Sequence, residues 1–193
     1  MSYNPNIHHR CSIRLKGYDY SQEGLYFVTI CCQHRECLFG KIVDGKMILN
    51  NAGKIVDDCW LAIPNHFPNV ILHEYVIMPN HFHAIIEITV GAGSARPDVN
   101  IVNNINDNAN LERVDSDANL ERMDLGRANP APTVGNIVGY FKYHTTKQID
   151  LPTKLWQRNY YEHIIRNERS FKHIAEYIVN NPNMWNKDKF YKK

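Results

Sequence analysis

Residues 70–90 read Val-Ile-Leu-His-Glu-Tyr-Val-Ile-Met-Pro-Asn-His-Phe-His-Ala-Ile-Ile-Glu-Ile-Thr-Val. Two β-branched, apolar runs flank Pro79-Asn80, a dipeptide that favours a turn. The stretch predicts an antiparallel hairpin, with one strand over Val70–Met78 and the next over His81–Val90. Working outward, Gly24–Cys32 (GLYFVTICC) has the composition of another long strand. Lys41–Leu49 carries Asp44-Gly45 between apolar flanks, a tight hairpin signal. Asn50 or Asn51 offers an N-cap for a helix that places Ala52, Ile55, Val56, Cys59, Trp60 and Ile63 on one face, with Pro64 and Pro68 expected to end it.

After the hairpin the pattern breaks. Residues 91–133 open Gly-Ala-Gly-Ser, are crowded with Asn and Asp, and repeat Ala-Asn-Leu-Glu-Arg at 109 and 118. Two short copies do not make a solenoid, so the segment reads as a flexible surface insertion in a single domain spanning 1–193. Thr133 is a possible N-cap for a helix with Val134, Ile137, Val138 and Phe141 on one stripe and Tyr140, Tyr143, His144 and Lys147 on another. A short strand is expected over Tyr160–Ile165. Asn167 then caps a last helix that turns Phe171, Ile174, Ala175 and Ile178 inward and stops before Pro182. The order strand, helix, strand, strand, helix, strand, helix predicts a ferredoxin-like α+β fold, mostly antiparallel, with helices on one face of the sheet and a terminal helix besides.

The 193 residues, 44% hydrophobic and 22% charged, suit a globular domain with a real core and exclude collagen-like or wholly disordered classes. No apolar run reaches the length of a membrane span, and the first ten residues have no apolar stretch of the kind an export signal carries. Five cysteines with no C-x-x-C pair suit reduced thiols in the cytoplasm better than disulfides or structural zinc. The net charge of +2 hides a gradient: residues 134–193 hold eleven Lys or Arg against five Asp or Glu. Aromatics interleave with that basic stretch, which suits a polyanion with stackable bases, or simply a solvated basic surface.

Chemistry concentrates at two places. On a strand, His81 and His83 point to one face and Phe82 to the other, so two imidazoles can grip one metal ion, although H-x-H is also common in purely structural settings. On the last helix His173, Tyr177 and Asn181 recur every four residues and form one stripe beside the apolar one. Such a stripe can lean over the sheet and offer a phenol and an amide oxygen, or can be an ordinary polar flank.

Several stretches carry a more specific likeness: Arg14-Leu-Lys-Gly-Tyr-Asp-Tyr20, GLYFVTICC, Val76-Ile-Met-Pro-Asn-His-Phe-His-Ala-Ile-Ile86, Trp156-Gln-Arg-Asn-Tyr-Tyr-Glu-His-Ile-Ile-Arg166 and Tyr177-Ile-Val-Asn-Asn-Pro182. With these the chain resembles the transposase-like single-tyrosine HUH endonucleases, and among them the REP-associated tyrosine transposases. The resemblance leaves out 91–133. It implies the ferredoxin-like fold, a divalent Mg or Mn ion on His81, His83 and Asn181, and Tyr177 as nucleophile. It further implies nicking and rejoining of single-stranded DNA at hairpin-forming sites through a 5′-phosphotyrosine, by a cytoplasmic, nucleoid-associated monomer or homodimer with no membrane partner. His173 and His163 are candidates to orient the phenol or take its proton. Arg14, Lys16, Tyr140, Lys142, Tyr143, Lys147, Trp156, Arg158, Arg166 and Lys172 are candidate DNA contacts. The competing readings are a catalytically silent hairpin-binding module of the same fold and a metal-dependent phosphodiesterase that uses water.

Overall fold

A computed structural model describes residues 22–89 and 132–191. The chain divides into two units, Met1–Ala92 with Ala131–Lys193, and Gly93–Pro130; the second lies outside the described residues. Arg14, Lys16 and the expected insertion, up to residue 131, also lie outside them.

The described part contains β1 (Gly24–Cys31), β2 (Gly40–Val43), β3 (Lys46–Leu49), α1 (Asn51–Leu61), α2 (Ile63–His66), β4 (Val70–Met78), β5 (His81–Ile88), α3 (Val134–Ile149), β6 (Tyr161–Ile165) and α4 (Glu168–Asn180). The main sheet has the order β4-β5-β1-β6 with every neighbouring pair antiparallel. Two crossovers, β1-α1-β4 and β5-α3-β6, each skip one strand position, and this makes the arrangement ferredoxin-like. β2 and β3 form a separate two-stranded ribbon. Their turn residues Asp44 and Gly45 both have positive φ, 49° and 73°, as a two-residue type I′ hairpin requires.

The predicted elements form for the predicted reasons. Asn50 caps α1 by accepting from Gly53 N at 2.9 Å, Thr133 caps α3 through Asn136 N at 3.2 Å, and Asn167 caps α4 through Ser170 N at 2.8 Å. One expectation changes: Pro64 does not end the helical segment. α1 stops at Leu61, and Pro64 stands in the first turn of α2, where its missing N–H has no partner to lose.

The sheet is covered on both faces. Val28, Ile30, Phe82, Ala84 and Ile86 point to one face and meet Val56, Cys59 and Trp60 of α1 and Ile137, Val138 and Phe141 of α3. Phe82 stands at the centre, with Trp60 and Phe141 ring centroids at 4.7 and 5.1 Å. The other face is smaller: Phe27, Ile85 and Ile165 pack against Ile178 of α4. Strand alternation therefore sends Phe82 into the main core and His81 and His83 to the face that α4 covers.

Candidate metal and tyrosine site

His81 and His83 are buried, and their ring centroids lie 4.5 Å apart. Each has its Nδ1 engaged by a neighbour. The Asn80 amide donates from Nδ2 to the carbonyls of Arg35 (3.2 Å) and Phe190 (2.8 Å), so its Oδ1 faces His81 and accepts from His81 Nδ1 at 2.8 Å. That leaves the His81 Nε2 lone pair aimed into the protein with no hydrogen-bond partner. Thr29 Oγ1 stands opposite His83 on β1, 2.8 Å from its Nδ1. The Tyr177 hydroxyl lies within hydrogen-bond reach of His83 Nε2, at 3.3 Å. Both imidazoles are held neutral. Burial, then the cations Lys189 and Arg35, lower His81 to about 3, and burial with the neighbouring His81 pushes His83 well below its ordinary value.

The helix supplies the other half. Tyr177, 40% exposed, packs edge-on against His83 and Phe27. Asn181 follows α4 immediately and is buried, its Oδ1 without a hydrogen-bond partner and its Nδ2 donating to Asp188 Oδ2 at 3.2 Å. Burial and the Asp188 carboxylate raise the Tyr177 pKa, while a hydrogen bond from Asn181 works against them. A cleft of about 670 Å³ opens over Tyr177, with Thr29, His83, Tyr161, His173 and Asp188 among its walls.

The donor set suits a divalent cation. Two neutral imidazoles have their Nδ1 atoms held by outer partners, and the buried Asn181 supplies an amide oxygen with no hydrogen-bond partner. Nitrogen ligands are better matched to Mn than to Mg, which prefers oxygen. His81 and His83, together with Asp188, place one ligand atom each within 4.8 Å of one another.

The other expected site residues are dispersed. His173 lines the cleft one helical turn before Tyr177. His163, paired with Phe27 on β6, is exposed and is not among the cleft walls. Lys142 donates to the carbonyls of Gln157, Arg158 and Asn159 at 2.8–3.4 Å, holding the loop before β6; burial lowers its pKa to about 8. Trp156 is 7% exposed, its Nε1 donating to Thr145 Oγ1 at 2.8 Å, and it packs at a tilt against Phe39 and Phe141. Tyr140 stacks on His66 at 4.2 Å and, like Tyr143 and Lys147, belongs to α3, which covers the opposite sheet face. Arg158 and Arg166 are exposed, and Lys172 pairs with Glu168.

Sequence reasoning missed Thr29, Arg35, Asn80, Asp188 and Lys189. Asn80 was legible only as a turn residue. Thr29 becomes a partner of His83 through sheet register, which no local pattern reveals. Asp188 had one signal: it is the sole Asp or Glu after Tyr177.

The fold and site define a ferredoxin-like α+β protein with a buried histidine pair facing a helix-borne tyrosine. No protein-family model matches the sequence. A Haemophilus influenzae protein, itself uncharacterized, is 44% identical over 192 residues, covering 98% of this chain and 97% of that one. The chain belongs to the same family as that protein. Among solved structures, the REP-associated tyrosine transposase bound to a REP hairpin aligns with a TM-score of 0.52 at 17% identity, over 90% of this chain and 73% of that one. This establishes a shared fold. A candidate transposase from Deinococcus radiodurans R1 aligns with a TM-score of 0.44 at 13% identity, over 88% of this chain and 97% of that one.

Proposed function

We propose that this protein is a transposase-type enzyme that nicks and rejoins single-stranded DNA at hairpin-forming sites, with Tyr177 as nucleophile. The observation that carries the reading is the meeting of Tyr177 Oη and His83 Nε2 at 3.3 Å, beside the unpartnered His81 Nε2 and Asn181 Oδ1. His81, His83 and Asn181 would hold a divalent Mn or Mg ion. When bound, that ion supplies Lewis-acid stabilisation of charge on the scissile phosphate.

The chain's own residues account for the remaining steps. An ordinary tyrosine ionises near pH 10, and burial raises Tyr177 further, so its proton must be removed as it attacks. His173, which shares the helix stripe and the cleft wall with Tyr177, would take that proton from Oη. The new bond joins Oη to phosphorus and the bond to the 3′ oxygen breaks. The proton held on His173 then passes to that oxygen, leaving a 3′-hydroxyl and a 5′-phosphotyrosine. The linkage stays a phosphodiester, so another 3′-hydroxyl can reverse the attack without ATP. Lys189 and Arg35, the cations whose charges act on His81, would suit the DNA backbone. Tyr161, on the cleft wall, offers an exposed ring to a base. Arg158, Arg166 and Lys172 would extend the contact, whereas Tyr143 and Lys147 stand on α3, across the sheet from the cleft. The DNA-bound state of the shared-fold transposase supports the choice of a hairpin substrate.

The test is incubation with hairpin-bearing single-stranded oligonucleotides and Mn2+ or Mg2+, read as a covalent protein–DNA band under denaturing conditions. The expected result is an adduct that needs metal, disappears in Tyr177→Phe and leaves DNA binding intact. An adduct that persists in Tyr177→Phe overturns the nucleophile. Binding with no adduct across the panel favours the catalytically silent module, and metal-dependent cleavage that survives loss of Tyr177 favours a water-using phosphodiesterase.

A further inference from the structure

Beyond α4 the chain turns back through a 3-10 segment, Pro182–Lys187, and returns a carboxylate to the histidine pocket. The Asp188 side chain is 4% exposed. Its Oδ1 accepts from the Phe190 amide at 2.6 Å, and its Oδ2 accepts from Asn181 Nδ2 at 3.2 Å. The same Oδ2 faces His81 Nε2 at 4.0 Å. That gap is too wide for a hydrogen bond and is about twice the metal–oxygen bond of a small divalent cation. The facing nitrogen is buried and has no hydrogen-bond partner. The returning segment is tied down around this pair: Asn80 donates to the Phe190 carbonyl, and the Phe190 ring lies 4.6 Å from that of His81.

We propose that Asp188 is a further ligand of the cation held by His81 and His83, so that the metal fastens residues 182–190 across the site. This rests on the reading of the two histidines as ligands. Asn181 then acts twice, offering Oδ1 to the cation while its Nδ2 orients the carboxylate. The arrangement has a consequence for metal choice, since an anionic oxygen shifts a two-imidazole site towards hard cations such as Mn2+. It also makes the order of residues 182–190 depend on the metal.

The experiment uses the full chain and Mn2+ alone, with bound metal measured by electron paramagnetic resonance and backbone protection by hydrogen exchange. Wild-type protein should slow exchange across residues 182–190 when Mn2+ is added. Asp188→Asn keeps the shape and an oxygen acceptor for Phe190, and should weaken Mn2+ affinity by at least about 10-fold. His81→Asn, which retains a donor for Asn80, should weaken it as well. Unchanged affinity in Asp188→Asn with a loss in His81→Asn overturns the role of Asp188 alone. Unchanged affinity in both overturns the histidine reading with it. The exchange measurement needs no variant, and no Mn2+-dependent protection at 182–190 in wild type overturns the proposal even if Asp188→Asn does not fold. Whether DNA is cut enters none of these readouts.

Discussion

Thr29 shows how much a single hydroxyl can carry in this site. It sits 4% exposed on β1, across the ladder from His83, and bonds Nδ1 at 2.8 Å. Outer partners of this kind fix the tautomer and the ring angle of a ligating imidazole. Thr29→Val keeps the shape and removes the bond. It should weaken Mn2+ binding about 10–100-fold and lower stability by about 1–3 kcal/mol, because a buried Nδ1 loses its partner. Metal titration and thermal unfolding check the two effects, and Thr29→Ser should restore most of both. Equal Mn2+ affinity in Thr29→Val would leave the hydroxyl as packing. The histidine pair was legible from alternation along β5, yet its two supporting partners were not. Asn80 is turned towards His81 by donating to the carbonyls of Arg35 and of Phe190, the second 110 residues away.

At the scale of elements, the β2–β3 ribbon is more than an appendage. Gly45, at its tip, has φ of 73° and lies against Asn183 of the returning C-terminal segment; a Cβ there would meet the Asn183 Oδ1. The turn disfavours a side chain, and a Cβ would have to push the Asn183 side chain aside. Gly45→Ala should therefore cost at least about 1–2 kcal/mol from the left-handed backbone alone, read by urea denaturation. Adding Asn183→Ala should recover part of the loss, and no recovery would show that the contact contributes nothing. Local reading found this hairpin because Asp-Gly between apolar runs dictates a turn. It misjudged Pro64 because a proline reads alike as a helix end and as a helix start until the neighbouring carbonyls are placed. Of the candidate DNA contacts, Lys142 and Trp156 have their polar groups engaged by the loop before β6 and by Thr145, partners that no local pattern of charge and rings displays.

Across the whole molecule, the site is a pair of bases buried in the protein, and pH follows from that. His81 ionises near pH 6.5 when unfolded and near 3 when folded, and His83 is shifted the same way. As pH falls below about 6.5 the unfolded chain takes up protons that the folded chain refuses, so stability drops. The slope reaches at most about 1.4 kcal/mol per pH unit for each histidine, and the window extends down towards pH 3 for His81. Protein stripped of metal with a chelator should melt lower at pH 5 than at pH 7.5, with a smaller difference in His81→Asn. An equal difference in that variant would show that His81 is not the group responsible.

The order and type of the four main-sheet strands, the β2–β3 hairpin and the three long helices, the split between Phe82 and its flanking histidines, and the stripe of Tyr177 and Asn181 were all determined by the sequence alone. They depend on periodicity, caps and turn residues, which act over a few residues and leave a local imprint. Tertiary structure decided what those faces meet. β1 brings Thr29 to His83 through register, α4 lays its tyrosine on the second face of the sheet, and the chain returns Asp188 to His81 across 107 positions. Such meetings are set by packing between distant segments, for which a linear pattern has no period to display.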